Sequence, residues 1–222
     1  MEITVYGDSI LKGILLENGR YTINREWEER LNTLLGLRIR NRSRFGGTIR
    51  KAMAMIRRDC DIQTGDDSIA VLEFGGNDCD YRWEEVAAAP ASEHDCKTPP
   101  ASFMETYREA VSLIRRAGRR PVLVNLPPIH SERYLGFICR DGLSRDSIMT
   151  WLGDVEAISR WQRKYSDMVT KLAEQEGAYL IDLRSAFENA GLSSEELLCA
   201  DGIHPSRAGQ GIIYETLLHT VA

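Results

Sequence analysis

No run of apolar residues in this chain approaches the roughly 20 that a membrane-crossing helix requires, so a spanning helix is not expected. No Cys-x-x-Cys pair occurs either. The five cysteines, Cys60, Cys79, Cys96, Cys139 and Cys199, are odd in number and scattered, which supports neither a disulfide framework nor a zinc site and makes reduced thiols the default. Basic charge is not in excess: 28 Lys and Arg stand against 33 Asp and Glu, a net charge of -5, and that removes the electrostatic footprint of a nucleic-acid binder. Basic residues do gather between Arg38 and Arg58, where they read as a solvated face. No basic leader precedes the first strand pattern, so the expected setting is cytoplasmic. Internal repeats and low-complexity tracts are absent as well.

What is present is an ordinary globular composition. The 222 residues are 43% hydrophobic and 27% charged, enough for one well-buried core and a single domain over residues 1–222. The chain is organised around Glu2 to Gly13. Ile3 and Val5 mark a short buried strand, Gly7 permits a sharp turn, and Ser9 falls where a helix is expected to begin. A serine there reads either as a helix cap or as a nucleophile.

Downstream, Trp27, Leu31, Leu34 and Leu35 recur at helical spacing, with Gly36 as the C-cap. A second strand over Leu37 to Asn41 leads into Arg44-Phe45-Gly46-Gly47-Thr48 and another helix. Ser68 to Phe74 reads as a third strand, apolar enough for burial on both faces, ending in Gly75-Gly76-Asn77-Asp78. Residues 79–100 have no clean period and form a first insertion, perforated by prolines. A helix through Phe103, Tyr107 and Ile114 then precedes a fourth strand, Pro121 to Leu126. Residues 129–153 form a second insertion, followed by a long helix from about Asp154 to Glu176 and a fifth strand from Ala178 to Leu183. The chain closes with a short helix, the loop Leu198 to Pro205, and a helix whose Ala208, Ile212, Ile213, Leu217 and Val221 share a face.

Five strands alternating with helices predict an α/β architecture, a parallel sheet covered on both faces. Ligands of such sheets bind beyond the carboxyl ends of the strands. Ser9, Gly46, Asn77 and the loop carrying His204 all follow strands at that edge, and this convergence raises the catalytic reading of Ser9 above the capping one. A serine hydroxyl needs an imidazole to accept its proton and a carboxylate to orient that imidazole. Asp201-Gly202-Ile203-His204 offers both on one loop, with Pro205 suited to the first turn of the following helix. His130, after the fourth strand, is the rival histidine and reads as a pocket residue. The N–H groups of Ser9 and Gly46, with the Asn77 amide, can form an oxyanion hole; each also has a plain reading as a turn or loop residue.

Together, Gly7-Asp8-Ser9, Gly46, Gly76-Asn77-Asp78 and Asp201-x-x-His204 resemble the four sequence blocks of the SGNH hydrolases, also called GDSL esterases/lipases. The resemblance implies a three-layer α/β/α sandwich with a five-stranded, flavodoxin-like sheet ordered 2-1-3-4-5. It also implies Ser9 as nucleophile, His204 as base, Asp201 as the triad acid, Gly46 and Asn77 with the Ser9 N–H as oxyanion donors, and no metal or organic cofactor. Asp8 and Asp78 are assigned to loop architecture. Ile10 stands where the family commonly has Leu, and Gly47 where an acid often follows the oxyanion glycine.

The expected activity is hydrolysis of a small-molecule carboxylic ester through an acyl-enzyme, with short acyl chains such as acetylated carbohydrates favoured. Lysophospholipase, thioesterase or acyltransferase chemistry on the same groups, or a non-catalytic binding module, are the alternatives. Tyr81, Trp83, Tyr134, Phe137 and Trp151 lie in the two insertions, where pocket lining, lid formation and local packing are all open to them. Oligomeric state is not legible in these residues.

Overall fold

The computed structural model describes residues 2–36, 38–61 and 68–221. The chain opens with β1 (Glu2–Gly7), β2 (Ile14–Glu17), β3 (Arg20–Ile23), α1 (Glu26–Leu35), β4 (Arg38–Asn41), α2 (Ile49–Cys60) and β5 (Ser68–Glu73). It continues through α3 (Trp83–Ala88), α4 (Pro100–Arg116), β6 (Arg120–Val124), α5 (Ser131–Cys139), α6 (Arg145–Leu152) and α7 (Ala157–Glu176). Last come β7 (Tyr179–Ile181), α8 (Leu183–Glu188), α9 (Ser194–Leu197) and α10 (Arg207–Val221). Leu37, expected in the second strand, lies outside the described residues, as do the side chains of Leu34, Leu35 and Val221.

Five strands form one sheet in the order β4-β1-β5-β6-β7, every neighbouring pair parallel. Counted among themselves, these strands run 2-1-3-4-5, as the family resemblance implies. Alternation along each strand divides the core in two. Tyr6, Ala70, Leu72 and Leu123 point into a layer shared with α2, α4 and α7. Ile3, Val5, Val71, Val122 and Val124 point into the opposite layer, with α1, α8 and α10. This is the three-layer α/β/α arrangement: a sheet apolar on both faces must be covered on both.

The segment after Ser9 departs from the helix expected there. Residues 8–13 form turns, and β2 and β3 pair as an antiparallel hairpin with Glu17 opposite Arg20. Asn18 and Gly19, at φ 51° and 74°, supply the two left-handed residues that a two-residue hairpin turn demands. No helix begins at Ser9, so the capping reading has nothing to cap. The hairpin docks on the loop before α10 and on the start of that helix: the Leu16 N–H meets Cys199 Sγ at 3.4 Å, and Arg207 Nε, at the first residue of α10, pairs with Glu17 at 2.8 Å.

The two insertions fold into α3, α5 and α6. Trp83, Val86, Leu135 and Ile148 from these helices, with Ile158 of α7, make a satellite apolar cluster. Gly36 ends α1 in the left-handed conformation, as the sequence predicts. Two smaller expectations shift. Pro205 stands ahead of Ser206, which caps α10 by accepting the Gly209 N–H at 3.2 Å, so the proline steers entry to the helix from outside its first turn. Ala208 is exposed while Ile213 and Leu217 are buried.

Candidate active site

At the carboxyl end of β1 the chain reverses tightly, with the Lys12 N–H on the Asp8 carbonyl and the Ile14 N–H on that of Ser9. The Asp8 side chain braces this turn, accepting the Ile10 N–H at 2.8 Å and the Asn77 amide at 3.0 Å. Asp78, from the same loop as Asn77, reaches α2 and accepts the Ile49 N–H at 3.2 Å. Both aspartates thus hold loops, in line with the sequence reading.

Beneath them lies Glu73, fully buried, whose carboxylate accepts the Asp8 N–H at 3.2 Å. Burial pushes the Glu73 carboxyl well above its ordinary value, and the neighbouring Asp8 charge pushes the same way. Burial also raises Asp8, opposed by the hydrogen bonds from Ile10 and Asn77. Asp78 is pushed by burial up to about 7, against the Ile49 N–H.

The loop between α9 and α10 carries the histidine. It is closed by a Leu198–Pro205 bridge and by the Cys199 N–H on the His204 carbonyl at 2.8 Å. Asp201 folds back on it, one oxygen accepting the N–H groups of Ile203 (3.2 Å) and His204 (3.1 Å). Its other oxygen stands 2.7 Å from His204 Nδ1, and His204 Nε2 stands 2.9 Å from the Ser9 hydroxyl. A carboxylate at Nδ1 selects the tautomer with the proton there, leaving Nε2 free to accept from serine. Burial alone would raise Asp201, yet the hydrogen bond and charge of His204 outweigh it and hold the carboxyl below the ordinary range.

Two residues that the sequence reading did not single out complete this side. Tyr21, from the exposed strand β3, donates its hydroxyl to Asp201 at 3.3 Å. Burial and the Asp201 charge push its phenol up to about 12, so it remains a donor at working pH. Tyr21 and Phe45 flank the imidazole, ring centroids 5.2 and 5.7 Å from that of His204. The Asn18-Gly19 turn signal would have found the hairpin, though not its contact with Asp201, which lies 180 residues away.

The expected donors converge on the same point. Ser9, Gly46 and Asn77 line one chamber with His204. Among the described residues the N–H groups of Ser9 and Gly46 have no protein acceptor, and Asn77 has one amide hydrogen left after serving Asp8. Gly47 has a different task. Its N–H bonds the Arg44 carbonyl, and a Cβ there would lie 2.9 Å from that oxygen and 3.1 Å from the Gly7 carbonyl, so the loop can press on β1 only without a side chain.

Neither rival has a place in this arrangement. His130 caps α5, pairs with Glu195 at 3.0 Å and does not line the chamber, which corrects the expectation of a pocket residue. Its N–H instead anchors the Gly202 carbonyl at 2.8 Å and so steadies the histidine loop. Cys79 lines the chamber, but burial pushes its thiol well up and its hydrogen goes to the Gly76 carbonyl. Among the described residues no three His, Cys, Asp or Glu side chains are grouped to hold a metal ion. A hydroxyl, an imidazole and a carboxylate in contact, beside unpaired amide hydrogens, can form and hydrolyse an acyl group on serine.

The family model described as GDSL-like Lipase/Acylhydrolase matches residues 5–212. A yeast protein from Saccharomyces cerevisiae, named isoamyl acetate-hydrolyzing esterase, is 25% identical over 153 residues, 69% of this chain. That stretch is 56% of the yeast protein, so the match spans little more than half of the relative's length. In fold the chain is similar to an acetylxylan esterase from Geobacillus stearothermophilus, solved as a catalytic mutant, with TM-score 0.69 and 19% identity over 100% of this chain and 94% of that one. It is similar also to a lipase/acylhydrolase from Enterococcus faecalis, with TM-score 0.66 and 16% identity over 99% and 94% of the two chains.

Proposed function

The chain belongs to the GDSL-like lipase/acylhydrolase family, and from that premise we propose that it is a serine esterase acting on carboxylic esters of short acyl chain through an acyl-enzyme. Ser9 attacks the ester carbonyl as its proton passes to His204 Nε2. Asp201 keeps the imidazole in register and stabilises the imidazolium. The oxyanion is met by the N–H groups of Ser9 and Gly46 and by the second amide hydrogen of Asn77, each worth about 3 kcal/mol where such donors are lost. His204 returns its proton to the departing alcohol, and a water deprotonated by the same nitrogen then releases the acid.

The observation that carries this reading is the unbroken series from Ser9 Oγ through His204 to Asp201, at 2.9 and 2.7 Å. The short-acyl part draws support from two relatives of different kinds, one named for isoamyl acetate and the other for acetylxylan, both acetyl esters. A fluorophosphonate probe is expected to label Ser9, as mapped by mass spectrometry, and to leave Ser9→Ala unlabelled. Hydrolysis of a nitrophenyl ester series is expected to slow from acetyl to long chains. An unlabelled wild type would overturn the esterase, and rates rising with chain length would overturn the short-acyl assignment.

A further inference from the structure

The chamber in front of Ser9 holds about 460 Å³, within the range of small-molecule sites, and its far wall is built from the two insertions and the first turns of α7. Resting on the esterase reading above, we propose that this wall receives an aromatic or branched aliphatic part of the ester and discriminates against esters of polyhydroxylated alcohols such as sugars.

The wall is aromatic and mutually packed. Tyr81 sits at its centre, ring centroids 4.7 Å from Trp151, 5.6 Å from Trp83 and 6.0 Å from Trp161. Rings of this kind also suit sugars, whose faces stack on aromatics, so the polar groups decide between the two. A sugar needs free acceptors and donors for the hydroxyls that lose water on entry, and each one left unpaired weakens binding about tenfold or more.

Those partners are already engaged by the protein. Asp80, the carboxylate of this wall, accepts Trp83 Nε1 at 2.8 Å and the Tyr134 hydroxyl at 2.7 Å on one oxygen, while Lys97 holds the other at 2.6 Å. Trp161 gives its N–H to the Cys79 carbonyl at 2.8 Å. Gln162 is committed at both ends, to the Pro127 carbonyl at 2.8 Å and to Arg184. Arg140, the one cation among the lining residues, pairs with Asp141 at 3.2 Å and lies 3.5 Å over the Phe137 ring. The Asp80 carboxylate and the Gln162 amide oxygen are therefore already bonded to protein donors, and of the amide one N–H hydrogen stays free. Among the described residues of the wall, Tyr81 and Trp151 also keep one hydrogen-bonding atom each, and Arg140 keeps N–H groups beyond those facing Asp141 and the Phe137 carbonyl. These are scattered and mostly donors, and no unengaged side-chain carboxylate or amide oxygen stands among them to meet the O–H groups of a sugar. This departs from the acetylated-carbohydrate expectation while leaving the short acyl group untouched.

The experiment compares kcat/KM of the wild type for ethyl acetate, benzyl acetate and a methyl mono-O-acetyl-xyloside, which keeps two free hydroxyls, with fluorophosphonate labelling of Ser9 as the separate check on the esterase reading. Benzyl acetate is expected to exceed ethyl acetate by on the order of 30-fold, from burial of one ring, and to exceed the xyloside by more. In Trp151→Ala the preference for benzyl over ethyl acetate is expected to fall about tenfold. With Ser9 labelled, a xyloside turned over as well as benzyl acetate overturns this inference and spares the esterase. Without labelling and without hydrolysis of any of the three, the esterase reading falls and takes this inference with it. The wild-type comparison stands even where the Trp151 variant does not fold.

Discussion

On the hairpin side of Ser9 the site is tied by directional contacts: Tyr21 to Asp201, Asp201 to His204, His204 to the serine hydroxyl. On the α3, α5 and α6 side the rings and aliphatic groups meet mainly face to edge, and the polar atoms of Trp83 and Tyr134 are anchored on a single carboxylate, Asp80. The first kind of wall fails when an angle changes, because proton transfer and oxyanion binding depend on alignment. The second fails when volume is removed, because dispersion and burial depend on contact and hardly on direction. Substitutions should therefore separate into rate effects on one side and stability or selectivity effects on the other.

The sharpest test of the polar side is Asn77→Ala. Loss of its amide donor is expected to lower kcat for ethyl acetate by about a hundredfold to a thousandfold, with a far smaller change in thermal unfolding. A loss under about tenfold would mean that the oxyanion is held without Asn77.

The opposite test is Leu135→Ala, which empties a fully buried position of the satellite cluster outside the chamber lining. Denaturant unfolding is expected to register a loss of roughly 2–5 kcal/mol, while the folded fraction still labels at Ser9 with fluorophosphonate. Abolished labelling in folded protein would show that the two walls are not separable.

Beneath the polar wall, Asp78 links packing to pH. Burial raises its carboxyl to about 7 in the folded state, above its unfolded value. The folded state then binds the proton more tightly, so this contribution is present at low pH and is lost as pH rises from the unfolded value through about 7. Asp8 and Glu73, also raised by burial, act with the same sign. Asp78→Asn keeps an oxygen for the Ile49 N–H and is expected to flatten the fall in stability between pH 5 and pH 8 by on the order of 2 kcal/mol. Parallel curves for variant and wild type would exclude the carboxyl as the source.

The smallest effect is expected at Tyr21→Phe, which keeps the ring against His204 and removes one hydrogen bond to Asp201. A drop in kcat of about three- to tenfold, with KM little changed, is the outcome expected for a bond of that strength. An unchanged kcat would leave the Ile203 and His204 N–H groups as sufficient anchors for the carboxylate.

The parallel sheet was legible because its strands are continuous apolar runs bounded by glycine and proline, and because alternation with helices admits few topologies. The predicted donors and the serine, histidine and aspartate were legible as residue types at strand ends, and the structure brings them together at one edge. The β2–β3 hairpin was not legible although its turn signal, Asn18-Gly19, is present, because a serine after a strand and a glycine turn carries the same local signal as a helix start. Tyr21 and Phe45 carry no local mark of a site: one is a strand residue, the other a loop residue, and each gains its role only by lying beside His204. The aromatic wall was named from the insertions, but nothing in their period told lining from lid.

By itself the order of residues determined what depends on near neighbours along the chain: which segments are strands, where turns admit glycine, and that an acid and a base share one loop. Only the tertiary structure decided that Ser9 and His204, 195 positions apart, stand 2.9 Å from each other, that Tyr21 reaches Asp201, and that Asp80 gathers in the polar atoms of the aromatic wall. The reason is physical. Local preferences act over a few bonds, whereas hydrogen-bond pairing between distant segments is set by the register in which the sheet and its covering layers pack, and that register is a property of the whole core.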